Sequence, residues 1–164
     1  MLTKPMTDAL NEQIKHEINS AYLYLAMSMH CASAGLPGCA SWLRIQWQEE
    51  LGHAMKLADI VQDRGGKVIL QAVDKPMTDF KSPLKIFQHV LAHEQKVTAL
   101  INKLYEVALK ENDYATQVGV QWFIKEQIEE EKNAQMIVEQ LKMAGESGPP
   151  LMMLDRALGA RKGG

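Results

Sequence analysis

Cysteine, aromatic residues and unbalanced charge are all scarce in this 164-residue chain. Cys31 and Cys39 are its only cysteines, and their spacing fits no metal-binding motif. Two thiols cannot build a disulfide framework, so a reducing compartment is expected. No apolar run reaches the roughly 18 residues that span a bilayer, and Met1 to Asp8 lacks the apolar segment of a secretory signal. A cytoplasmic protein is therefore expected, with no membrane partner. Eighteen basic against twenty acidic residues leave a net charge of −2. That balance gives no general attraction to phosphate backbones, so no nucleic-acid partner is expected either. Sustained β-type alternation is also missing.

Helical patterning fills the chain instead, and the breaks are sharp. The punctuation predicts helices over about 5–33, 39–64, 83–110 and 113–144, then a short one over about 149–158. Gly35 to Gly38, Gly65-Gly66, Asn112-Asp113 and Gly145 mark the ends, and Ser82-Pro83 reads as a cap followed by proline at the first helical position. Each long helix carries an apolar seam of the kind that builds bundles, such as Leu10, Ile14, Ala21 and Ser28 in the first. The second and third offer Leu43, Trp47, Ala54 and Leu57, then Phe87, Leu91, Ile101 and Leu104. Val120, Phe123, Ala134, Ile137 and Leu141 line the fourth. Short links make the first and second helices, and the third and fourth, antiparallel neighbours. The segment over about 67–82 could span roughly 50 Å when extended, more than the length of about 42 Å of a 28-residue helix. It can cross the whole bundle. The expected fold is a single all-α domain, a four-helix bundle with one long crossover and a short fifth helix.

Acids interrupt these seams. Glu17 lies three residues after Ile14, Glu50 three after Trp47, and Glu94 three after Leu91. Gln127 and Glu130 fall between Phe123 and Ala134. All lie near the midpoint of their helix, so they meet at one depth. Burying four carboxylates together costs several kcal/mol each without compensation. Two divalent cations would balance the four negative charges of Glu17, Glu50, Glu94 and Glu130. His53, three residues after Glu50, adds an imidazole on the same helix face. Carboxylate and imidazole donors with exchangeable positions suit redox-active iron better than a closed zinc site.

On these residues the chain resembles the ferritin family, specifically the non-haem ferritins of bacteria and archaea, along essentially its whole length. The resemblance implies a ferritin-like fold with two irons at the bundle centre. Glu17, Glu50 and His53 would bind the first; Glu50 would share the second with Glu94 and Glu130, with Gln127 close by. It also implies a third iron position at Glu49, Glu126 and Glu129, although a solvated acidic face would look the same in sequence. Tyr24, seven residues after Glu17, matches a tyrosine that donates a hydrogen bond or an electron near the centre; a plain core tyrosine would occupy the same position. The haem-binding bacterioferritins repeat Glu-x-x-His on the fourth helix and place a methionine after the first motif's glutamate. This chain has Gln127-Ile128-Glu129-Glu130 and Leu51 there, so no haem is expected. The implied activity is oxidation of Fe(II) by O2 or H2O2, with ferric mineral stored in a homo-oligomeric shell of twenty-four subunits. Leu151, Met152, Leu154 and Leu158 of the fifth helix would then pack around a four-fold axis. The alternatives are a di-iron oxidase or peroxidase without storage, and a purely structural bundle.

Overall fold

The computed structural model describes residues 1–163. Five helices follow in order: α1 (Lys4–Ser33), α2 (Pro37–Asp63), α3 (Pro83–Lys110), α4 (Tyr114–Ala144) and α5 (Pro149–Gly159). Three N-termini are capped locally, those of α3 and α4 as the sequence suggests. Thr3 accepts from the Met6 amide, Ser82 from Lys85 and Asp113 from Thr116. Asn112 turns the chain between α3 and α4 with φ of 53°, the left-handed conformation that asparagine tolerates.

The start of α2 differs from expectation. The sequence suggests a helix from Cys39 after a Gly38 stop, but α2 begins at Pro37, where proline is favoured in the first turn. Its cap residue, Leu36, has no side-chain acceptor. The acceptor comes from α5: the Asp155 carboxylate takes the amides of Gly38 at 3.0 Å and Cys39 at 2.8 Å. Gly38 is a packing glycine, because a Cβ there would lie 1.6 Å from the Asp155 carbonyl oxygen. Asp155 thus ties the last helix to the first turn of the second.

The crossover runs the length of α1. Asn11 holds its start, bonding the Lys67 carbonyl at 3.0 Å and the Ile69 amide at 2.7 Å. Asn19 accepts from the Asp74 amide at 2.9 Å, and Phe80 anchors the far end, buried and edge-on to His30. α3 consequently starts at the opposite end of the bundle from where α2 stops, which makes the two parallel. Between α2 and α4 the contacts run in reverse order, Arg64 with Asp113 and Gln46 with Glu130, so those two are antiparallel.

The apolar core falls into two clusters. One gathers Met27, Leu43, Phe87, Ile137 and Leu141 with Leu151 and Leu158 of α5. The other gathers Leu10, Ile14, Leu57, Ile101 and Phe123. Trp47 and Leu91, expected on the seams, are only half-buried; their neighbours Gln46 and Val90 take the inward positions. Between the clusters lies a polar layer. No helix among the described residues is long and apolar enough to cross a membrane.

Candidate metal centre

Glu17, Glu50, His53, Glu94, Gln127 and Glu130 form that layer, each at most 6% exposed. Donor atoms of Glu17, Glu50 and His53 lie within 4.8 Å of one another, and so do those of His53, Glu126 and Glu130. Among the described residues these are the two groupings of three or more potential ligands. His53 therefore stands in both. Its Nδ1 is 3.8 Å from Glu17 Oε2 and 3.6 Å from Glu50 Oε2, distances of attraction rather than hydrogen bonding. Phe123 and Trp122 hold the imidazole edge-on, at 6.0 and 5.3 Å between centroids. Glu94 faces the layer from α3, where the Tyr24 hydroxyl and Gln127 Nε2, the latter at 3.1 Å, donate to its two oxygens.

Within the layer only His53 can carry positive charge, one group against four carboxylates, and the acidities record this shortfall. Burial, with repulsion from Glu94 and Glu17, pushes Glu50 well above the carboxylate range, although His53 works against the rise. Burial also raises Glu94 and, together with the Glu94 charge, lifts Glu130 to about 8. Burial opposes the charged form of His53, yet Glu17 and Glu50 overrule it and raise the imidazolium to about 11. Burial likewise works against Glu17, but His53, Glu50 and Gln13 together hold it below its usual range. Protons are thus retained because the carboxylates need countercharge. One atom sharpens the point: Glu17 Oε2 is buried without any hydrogen-bond partner. A buried anionic oxygen with nothing to donate to it, beside an imidazole nitrogen and a second carboxylate, fits a cation.

Two glutamines escaped the sequence reading. Gln13 Nε2 donates to Glu17 Oε1 at 2.7 Å. Gln46 Nε2 donates to Glu130 Oε2 at 2.8 Å and to Glu50 Oε1 at 3.3 Å. Both precede a seam acid by four residues, so a repeated Gln-x-x-x-Glu was the available signal. Each orients its carboxylate along the helix that carries it. Behind Tyr24, His93 packs its ring edge-on at 6.0 Å and sits 2.8 Å from Ser20 Oγ.

The three acids expected as a third position do not gather into one cluster. Glu126 joins His53 and Glu130. Glu129 is exposed, and Glu49 pairs with Arg161 at 2.6 Å. Arg161 follows α5, far from any seam, which is why patterning could not find it.

The family model described as a ferritin-like domain matches residues 7–144. The chain is 40% identical to a bacterial non-heme ferritin of Bacteroides fragilis over 98% of its own length and all of the relative's. It is 37% identical to one from Escherichia coli O6:H1, covering 96% of each. Among solved structures, an open pore ferritin from the hyperthermophilic archaeon Archaeoglobus fulgidus superposes with a TM-score of 0.97 at 48% identity, over 99% of this chain and all of that one. With its bundle, crossover and central acidic layer in place, the chain belongs to the ferritin family, in the non-haem branch of bacteria and archaea.

Proposed function

We propose that the chain oxidises Fe(II) with O2 or H2O2 at the polar layer and stores the ferric product as oxyhydroxide in a cytoplasmic shell of twenty-four like subunits. The observation that carries this reading is the unpartnered Glu17 Oε2, buried beside carboxylates that hold their protons because burial and mutual repulsion outweigh the single His53 cation. Glu17, Glu50 and His53 would take the first Fe(II); Glu50, Glu94 and Glu130 the second, with Gln127 alongside. Two divalent substrate ions balance four carboxylates, and the site supplies position and charge rather than a reacting group. To bind, His53 must give up the Nδ1 proton that Glu17 and Glu50 favour, and Glu130 must ionise. Gln13 and Gln46 keep the carboxylates aimed while those protons leave. Tyr24 holds Glu94 across the bundle. Glu49, Glu126 and Glu129, neighbours in sequence of the ligands Glu50, Gln127 and Glu130, are the candidates for a third position.

The shell reading draws on α5. Leu151 and Leu158 pack on their own bundle, whereas Met152 and Met153 are exposed and free to meet neighbouring copies. Fe(II) added in air to the purified protein, followed by size-exclusion chromatography, tests the proposal. Iron far above two per subunit should co-elute with a particle near twenty-four subunit masses. A particle of subunit size that retains two irons would instead mark a non-storage oxidase. Glu130→Ala should slow oxidation by at least about tenfold while the shell still assembles.

A further inference from the structure

Arg161 lies two residues beyond α5, yet it reaches the middle of α2. The reach is built in several steps. The Asp155 carboxylate and the Gly38–Gly159 approach, where a Cβ on Gly159 would meet the Gly38 Cα at 3.1 Å, lock α5 against the first turn of α2. The Arg161 amide then bonds the Leu158 carbonyl at 3.2 Å, which turns the chain back along α2. Its guanidinium lies over the Trp42 ring at 4.4 Å. Nη1 donates to Gln46 Oε1 at 3.0 Å, and Nη2 to Glu49 Oε2 at 2.6 Å. Trp42, Gln46 and Glu49 stand at the helical spacing of one face, so a single planar group touches all three.

Two of those partners bear on the proposed iron site. Gln46 is fully buried and spends its amide group on Glu130 and Glu50, leaving its carbonyl for Arg161. Glu49 is one of the acids assigned to the third position. A carboxylate oxygen that accepts a guanidinium N–H at 2.6 Å cannot at the same time bind a cation through that lone pair.

We propose that Arg161 is a positioning residue, a tethered cation that competes with iron for Glu49 and so sets how tightly the third position holds it. The inference rests on reading Glu49 as part of that position. Arg161 keeps Glu49 aimed while weakening its hold on metal, so that iron passes rather than lodges. Through Gln46 the same guanidinium braces the two carboxylates of the oxidation centre. The competition is local: it needs only rotation of one side chain partly open to water.

Equilibrium titration of the assembled apo shell with Zn(II), a redox-inert probe, reads this without any turnover. In Arg161→Ala the third equivalent per subunit should bind roughly two- to fivefold tighter, the scale of one partly exposed ion pair. Arg161→Gln, which keeps the stem over Trp42 but loses the charge, should show the same gain. A gain confined to alanine would mark lost packing and overturn the proposal. Adding Glu49→Gln to Arg161→Ala should abolish the gain, and a gain that survives would also overturn it. Equal third-site affinity in all variants refutes the competition while leaving the third position standing. Absence of a third Zn(II) from both wild type and Arg161→Ala refutes the third position itself, and the competition with it.

Discussion

The Tyr24 hydroxyl on α1 donates to the Glu94 carboxylate on α3, and neither residue is more than 1% exposed. Gln127 Nε2 donates to the second oxygen of Glu94 from α4, so three helices meet on one carboxylate. Tyr24→Phe removes one donor and leaves a buried acceptor unpaired. We expect a loss of about 1–3 kcal/mol in the apo subunit, seen as a lower midpoint in thermal unfolding. Initial Fe(II) oxidation, followed by stopped-flow absorbance, should slow by about tenfold. An unchanged rate with the stability loss would leave Tyr24 a core residue and no more.

Apo stability should fall as pH rises through neutrality. Glu130, raised to about 8, contributes stability that is full below its ordinary carboxylate pKa and lost as pH passes about 8. His53, raised to about 11, contributes stability that is full below about 6.5 and lost toward 11. Between pH 6.5 and 8 both groups keep a proton in the folded chain that the unfolded chain has released. The slope is therefore negative, up to about 1.4 kcal/mol per pH unit for each proton. Denaturant unfolding at pH 6.5 and 8 measures it. Glu130→Gln retains an acceptor for Gln46 and should flatten the slope by about one proton; a slope of opposite sign would contradict the assignment.

Metal loading should release those same protons. Between pH 6.5 and 8, filling the centre with Zn(II) should liberate at least about two protons per subunit, one from His53 and one from Glu130, with Glu50 able to add another. Calorimetric titration in buffers of different ionisation enthalpy counts them. The count should drop by about one in Glu130→Gln. Release of none would mean that the layer is already ionised and neutral imidazole is already present.

Asp155 makes its own prediction. Asp155→Ala removes the acceptor from the start of α2 and should cost about 1–2 kcal/mol. Gly38→Ala should do more, because its Cβ would strike the Asp155 backbone and push α5 away. Proteolytic nicking after α4 measures the loosening of α5. Loss of soluble subunit would mean that α5 is needed for folding itself.

Much of this molecule was legible in its sequence, for a physical reason. A carboxylate in an apolar seam is costly enough that Glu17, Glu50, Glu94 and Glu130 each stood out against Ile14, Leu57, Phe87 and Phe123. The crossover could be read from its length alone. Asp155 and Arg161 could not, because each acts on a helix more than a hundred residues away and breaks no pattern where it sits. Gln13 and Gln46 stood in plain view but were silent, since a neutral amide carries no conspicuous penalty. Gly38 misled outright: a glycine beside a proline signals a stop, whereas here it makes room for another backbone.

The placement of the polar layer between two apolar clusters has a kinetic consequence. Helix ends fray readily, but helix centres packed on both sides open only when the whole domain does. The backbone amides around Glu17, Glu50, Glu94 and Glu130 should thus be among the slowest to exchange with deuterium. Iron cannot wait for such openings. Its traffic has to proceed by side-chain rotation alone, as at the flank of His53 and Glu130, where Trp122 is exposed and Glu126 half-buried.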